Sequence, residues 1–335
     1  MEPTKKLLPE LSVIVPVYNE EPQNLDLVIT RLEQVLSPLL VFYEVVFVDD
    51  GSQTRSNEKL RELATKFDYV RLVVLSRNFG ELAAICAGLD HAQGSATVNM
   101  DSDLQDPPEM IPTMLQYWRD GYDVVFTRQA TRKESAFRQF LAFVYYRLLG
   151  RYSSVKIPVD AGEFRLLSRR AVNAICAAPE KTKFLRGLVP FVGFKQIVIP
   201  FDRYGRTVGE SSYTVDKLIK LAVEGLVSFN MQPLYFIPIL GVILVLSGLA
   251  GLIIFSVYPA LIFGFQVTLA MFIVLTTGLQ ISVTGILAVY LVEVLKEVRG
   301  RPTYIVAEKI GWHDNIISKP SPDEVRKVVK SSAHL

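Results

Sequence analysis

Two stretches of this chain place carboxylates where a cation or a phosphate could be handled. One is Asp49-Asp50-Gly51-Ser52; the other is Asp101-Ser102-Asp103-Leu104-Gln105-Asp106-Pro107-Pro108. Each follows an apolar run, residues 44–48 in the first case and 96–100 in the second. A D-x-D on a loop puts two carboxylates on one side of the chain. Such a pair suits a hard divalent cation, and Mg²⁺ or Mn²⁺ held this way keeps positions open for phosphate oxygens. A calcium loop of the EF-hand kind starting at Asp101 would need glycine at its sixth place and glutamate at its twelfth, where Asp106 and Pro112 stand. A zinc site would draw on histidine or cysteine, and this loop has neither. Acidic turns are common, so the D-x-D alone says little. Its weight comes from following a buried strand, with a second acidic strand end upstream.

Other groups could join them. Pro16-Val17-Tyr18-Asn19-Glu20 follows the first apolar run. Tyr18 offers a flat face for a base and Glu20 an acceptor for a ribose or base, although the same residues also suit an ordinary helix start. No G-x-x-x-x-G-K-[ST] and no G-x-G-x-x-G occurs, so a nucleotide bound here would rely on a metal and on side chains for its phosphates. Cations gather further on, at Arg128, Arg132, Lys133 and Arg138, then Arg165, Arg169 and Arg170, then Arg203 and Arg206. Arginine meets phosphate through paired planar contacts. Arg128 stands out because it ends a strand, whereas Arg169 and Arg170 read as a solvated face. His91 and His313 show no partner pattern.

The elements that would carry these groups alternate. Apolar runs at Leu11–Val17, 43–48, Val70–Leu75, 96–100 and 123–127 are separated by amphipathic stretches at 24–36, 57–67 and 81–92. Continuous apolar strands between helices imply a parallel sheet covered on both faces. Sites in such sheets form at the carboxyl ends of the strands, where the acids sit. In the middle of the chain, residues 135–152 interleave Phe, Tyr and Arg, and 213–231 form a second amphipathic stretch. Both suit either the membrane interface or packing against the sheet.

The last third bears on the membrane. No Asp, Glu, Lys, Arg or His occurs between Glu224 and Glu293. A span needs about 20 apolar residues, so this run accommodates two helices, near 234–257 and 268–295, joined by 258–266. Lys217 and Lys220 precede the run and Lys296, Arg299 and Arg301 follow it, which by the positive-inside rule places both termini in the cytoplasm. Residues 1–10 contain Lys5, Lys6 and two prolines but no apolar core of a signal peptide, so the first part is expected to stay cytoplasmic. The net charge of +2 gives no global excess to suggest nucleic acid. Cys86 and Cys176 lack a CxxC pattern and read as buried small hydrophobes in a reducing compartment.

Taken in order, V-P-V-Y-N-E, V-D-D-G-S, R-N-F-G at Arg77–Gly80, D-S-D-L-Q-D-P-P-E, D-A-G-E-F-R at Asp160–Arg165 and G-E-S-S-Y at Gly209–Tyr213 resemble the family-2 glycosyltransferases that make polyprenyl-phosphate sugars. The group includes dolichol-phosphate mannose synthases and bactoprenol glucosyltransferases. The resemblance implies an α/β catalytic domain of the GT-A (Rossmann-like) type over residues 11–212, after a tail at 1–10. An amphipathic interface helix (213–232), two transmembrane helices (233–296) and a cytoplasmic tail (297–335) would follow. By the same resemblance Pro16, Tyr18, Glu20 and Asp49 would hold the nucleoside. Asp101 and Asp103, with Gln105 beside them, would serve the diphosphate and an Mg²⁺ or Mn²⁺ ion. Arg128 and Arg138 would meet the acceptor phosphate, and Asp160 would sit near the reacting sugar. Arg206 and Ser211 would lie in a loop closing on the donor. The implied reaction moves a hexose from a nucleotide sugar, UDP-glucose above others, to undecaprenyl or another polyprenyl phosphate at the cytoplasmic membrane face; a homo-oligomer is compatible with it. Aminoarabinose, mannose or N-acetylhexosamine donors are the alternatives. Two positions depart from the pattern: Ala161 stands where Thr, Ser or Tyr is usual, and Ser212 where Lys is usual.

Rivals fit less well. A processive polysaccharide synthase would carry Q-x-x-R-W, which is absent. A transporter would place charges inside its spans, and these have none. An inactive scaffold would not need the intact acids.

Overall fold

The computed structural model describes residues 8–129, 161–180, 183–201 and 262–312, together with residues 243, 246, 247 and 250. These belong to two units, a sheet domain that includes residues 302–312 and a separate unit whose described part is mainly one long helix.

The sheet domain is built from β1 (Leu11–Val17), α1 (Pro22–Leu36), β2 (Tyr43–Asp49), α2 (Arg55–Lys66), β3 (Val70–Leu75), α3 (Glu81–His91), β4 (Ala96–Asn99), α4 (Ile111–Arg119), β5 (Val124–Gln129), β6 (Ala161–Ser168), α5 (Arg169–Ala177), α6 (Leu185–Phe191) and β7 (Gln196–Phe201). The long helix, α7 (Ile262–Arg299), comes next, and β8 (Val306–Ile310) then returns to the sheet. Local chemistry sets several starts. Pro22 opens α1, where a missing N–H costs nothing. Thr54 caps α2 by accepting from Ser56 N, and Ser168 caps α5 by accepting from Ala171 N.

The eight strands run in the order β7-β5-β6-β4-β1-β2-β3-β8. β1 pairs in parallel with β2 and β4, β2 with β3, and β5 with β7. β6 runs antiparallel between β4 and β5, and β8 antiparallel along β3. The sheet is therefore mixed rather than wholly parallel. Its consequence is that β1 to β5 all end at one edge, where β6 begins at Ala161 opposite Arg128. One face is covered by α1, α2 and α4 through Leu25, Val28, Leu32, Leu60, Leu63 and Met114, packed on Val13, Val45, Phe47, Leu72 and Phe164. α3 lies over β1 and β2 on the other face, with α5 beside it. Burial on both faces is why β1, β2 and β3 read as mostly apolar runs, broken only by the buried Ser12, Glu44, Asp49 and Arg71.

The expected strand and helix positions hold to within a few residues. Three strands were not anticipated, β6, β7 and β8, the last within the stretch read as a cytoplasmic tail. β6 escapes an apolar pattern because Glu163 and Arg165 lie within it and pair with each other. Of the two arginines read as a solvated face, Arg170 is exposed and Arg169 is half-buried. Arg169 donates to the Gly94 carbonyl from Nε at 2.8 Å, and Arg170 pairs with the buried Asp123. α7 starts at Ile262, inside the stretch expected as a link. Its segment Leu275–Arg299 is long and apolar enough to cross a membrane, and none of its most apolar window is buried in protein. The first expected span lies almost entirely outside the described residues, as do residues 135–152 and 213–231.

Candidate active site

The carboxyl edge collects residues from five strands. After β1, Tyr18 is 49% exposed, and Glu20 accepts from the Asn24 side-chain amide at 3.3 Å. Pro16, still inside β1, is in register with Val48. Asn19 takes a left-handed backbone conformation that asparagine tolerates. It ties this turn to the next: its N–H donates to Ser52 Oγ at 3.0 Å, and its Oδ1 accepts from Gln53 N at 2.9 Å.

The two acids that end β2 face inward. Asp49 is 0% exposed and Asp50 3%. Asp49 accepts from Ser52 N through Oδ1 at 2.9 Å and from the Asn57 amide through Oδ2. Asp50 accepts from Phe79 N at 2.7 Å and Gly80 N at 2.9 Å, pinning the R-N-F-G loop at the start of α3. Burial pushes the Asp50 carboxyl up, and those two amides pull against it. Gly51 lies between the loops with φ +70°, and a Cβ there would sit 2.4 Å from the Arg77 carbonyl carbon. Glycine is the residue that meets both conditions at once. Arg77 itself is exposed, with its guanidinium over the Phe79 ring at 4.1 Å.

The D-x-D loop after β4 is different. Asp101, Asp103 and Gln105 are all half-exposed, and Asp103 Oδ1 accepts from Gln105 N at 3.1 Å. Leu104 between them adopts φ +57°, a strained conformation for leucine, yet its side chain is buried in the core. Packing therefore imposes the turn that presents the flanking acids. Among the described residues no group of three or more His, Cys, Asp or Glu could enclose a metal ion. Two carboxylates with an amide beside them still fit a hard cation that takes its remaining oxygens from a bound diphosphate.

Next to this loop, Glu163 on β6 accepts from Arg165 and, at 2.9 Å, from Arg186 Nε. Burial opposes its charge, but the two guanidiniums hold its carboxyl below the usual glutamate range. Glu81, the first residue of α3, has a carboxyl raised by burial and by the neighbouring Glu163 and Asp103, against Arg186. Asn99, ending β4, donates to the Glu163 carbonyl at 3.3 Å, and its Oδ1 has no hydrogen-bond partner among the described residues. Arg128 is exposed near the end of β5.

The model of glycosyl transferase family 2 matches residues 12–176. An SfII prophage-derived bactoprenol glucosyl transferase of Shigella flexneri is 34% identical over 304 residues, covering 89% of this chain and 97% of that protein. The chain belongs to glycosyl transferase family 2. An uncharacterized glycosyltransferase of Synechocystis sp. is 39% identical over 307 residues, covering 90% of this chain and 96% of that one. Among solved structures, a mannosyltransferase from Pyrobaculum calidifontis in complex with GDP-Man and Mn²⁺ is 19% identical, with a TM-score of 0.45 over 66% of this chain and 63% of that chain.

This family-2 glycosyltransferase thus brings Pro16, Tyr18, Glu20, Asp49, Asp101, Asp103, Gln105 and Arg128 to one edge of one sheet. Asp160, Arg138, Arg206 and Ser211 lie outside the described residues, as does Ser212. Sequence reasoning gave no role to Asn57, Arg77, Glu81, Glu163 and Arg186. Arg77 and Glu163 stand inside the motifs themselves, so a signal was present. Asn57, Glu81 and Arg186 sit in helices whose sequence gives no hint of what they face.

Proposed function

We propose that this enzyme transfers glucose from UDP-glucose to undecaprenyl phosphate at the cytoplasmic face of a membrane, inverting the anomeric centre. The observation that carries the reading is the single edge at which a half-exposed D-x-D, an exposed tyrosine and an exposed arginine meet. Relatives named bactoprenol glucosyl transferases, aligned over nearly their whole length, support the choice of sugar and lipid.

In this reading Tyr18 stacks on the base, with Glu20 accepting from the nucleoside. Asp49, buried and bonded within the protein, shapes the turn beneath it. Asp101, Asp103 and Gln105 would hold Mg²⁺ or Mn²⁺, which when bound neutralises the departing diphosphate. Arg128, and Arg138 beyond the described residues, orient the acceptor phosphate. A phosphate monoester titrates near pH 6, so it arrives largely ionised and needs little help from a base. The protein's task is then to hold that oxygen in line with the anomeric carbon. Asp160, Arg206 and Ser211 complete the donor side.

Strand β8 supports a two-span membrane arrangement. It pairs with β3 inside the catalytic sheet, yet follows the uncharged run of 225–292 and helix α7. Both ends of that run therefore return to one side, and a crossing chain must cross an even number of times. Two spans is the smallest such number, and a run of this length fits two of about 20 residues each.

The test is transfer itself. Membranes holding the full chain are incubated with radiolabelled UDP-glucose, undecaprenyl phosphate and Mg²⁺ or Mn²⁺, and a labelled lipid is expected. Labelling from another UDP-sugar but not UDP-glucose would replace the donor; no labelled lipid from any would end the reading.

A further inference from the structure

Strand β8 does more than close the sheet. Its Glu308 receives both arms of the Arg61 guanidinium, Nη1 to Oε1 at 3.0 Å and Nη2 to Oε2 at 2.6 Å. Arg61 Nε donates to Asn57 Oδ1 at 2.8 Å, and the Asn57 amide nitrogen donates to Asp49 Oδ2. An asparagine side chain presents an acceptor at one end and donors at the other. The Arg61 contact fixes which end is which, so the end facing the buried Asp49 carboxylate carries the donor. A second connection lies alongside, since Ser76 N, directly before Arg77, donates to the Ile305 carbonyl at 2.9 Å. The strand is anchored at its ends by Tyr304 Oη donating to Asp90 Oδ2 at 2.6 Å and by Trp312 edge-on to His91.

We infer that β8 is a positioning element of the donor site: Glu308, acting through Arg61 and Asn57, sets the orientation of Asp49 and of the turn at 50–52, and Ile305 sets the start of the Arg77–Gly80 loop. The inference rests on the donor site proposed above. Glu308 touches neither substrate; it acts through two other side chains. The Arg61–Glu308 pair is 40% and 46% exposed at its side chains, and ion pairs so exposed add little to stability. A positioning role can therefore be separated from a structural one.

The experiment compares the full-length wild type with Glu308→Gln, Arg61→Ala, the double variant, and Lys309→Ala as an exposed control on the same strand. UDP affinity, donor and acceptor KM, kcat, melting temperature and amide exchange of residues 49–57 are recorded. Glu308→Gln is expected to weaken UDP and raise donor KM by roughly three- to tenfold, and the double variant to be no worse than Arg61→Ala alone because both act along one path. Acceptor KM, kcat and melting temperature should stay at wild-type values, exchange over 49–57 should quicken, and Lys309→Ala should change nothing. Unchanged UDP affinity and unchanged exchange in Glu308→Gln and Arg61→Ala overturns the inference, as does a loss of affinity matched by a general loss of stability. A wild type that neither binds UDP nor transfers glucose would sink the proposed function instead, and the exchange measurement would still decide the relay.

Discussion

The chain ends β2 and β4, the parallel strands on either side of β1, with acid pairs that look alike in sequence and serve different ends. Asp49 and Asp50 are buried, and all four of their carboxylate oxygens accept bonds from the protein. Asp101 and Asp103 are half-exposed on a loop whose turn is forced by the buried Leu104. Carboxylates already committed to amide donors hold loops together, and only accessible ones can add a cation and a phosphate to their partners. The lesson is that an acid at a strand end is not by itself a ligand. What decides is whether its oxygens are satisfied inside the fold.

That contrast can be broken experimentally. The largest effect is expected from Asp103→Asn, which should lower transfer on the order of a thousandfold while the protein remains membrane-inserted. Near-normal turnover with metal present would remove Asp103 from the chemistry. Glu163 probes the same distinction on another strand, because its oxygens are held by arginines. Glu163→Gln should cost about 3 kcal/mol at pH 7 by removing the charge partner of the buried Arg165. Since its carboxyl is depressed in the folded state, that stabilisation is present above the ordinary glutamate range and is lost as pH falls through the folded pKa. Melting curves of variant and wild type should therefore draw together as pH falls below the ordinary glutamate range; a gap that widens on acidification would contradict the assignment. Gly51→Ala forces a Cβ against the Arg77 backbone at positive φ, and about 2 kcal/mol of destabilisation is expected in denaturant titrations. Smallest of all, Arg31→Ala removes a surface pair with Glu109 that holds α1 to the D-x-D loop, at under about 1 kcal/mol and with transfer unchanged. A marked loss of activity there would show that the loop needs outside support beyond Leu104.

Much of this was legible in the residues. The bounds read from the sequence for β1 and β3 match to the residue, because burial on both sheet faces makes every side chain apolar but the buried Ser12 and Arg71. The edge that collects the acids followed from parallel-strand logic alone. What stayed hidden has physical causes. β6 carries a buried ion pair, which reads as polar surface until the partner arginines are seen. β8 is five residues long at a sheet edge with three of them exposed, and it lies far along the chain from β3, so no local pattern announces the pairing. The burial of Asp49 and Asp50 could not be read from their motif, because their partners Asn57, Phe79 and Gly80 come from later segments.

The most direct test of the contrast is to record thermal unfolding beside sugar transfer for Asp50→Asn and Asp103→Asn in the same membranes. An asparagine at position 50 would turn an amide donor against the N–H of Phe79 or Gly80, so its melting temperature should fall. The position 103 variant should melt like wild type and transfer almost nothing. An Asp103→Asn protein that melts early, or an Asp50→Asn protein that melts normally yet is inactive, would contradict the division of labour between the two acidic strand ends.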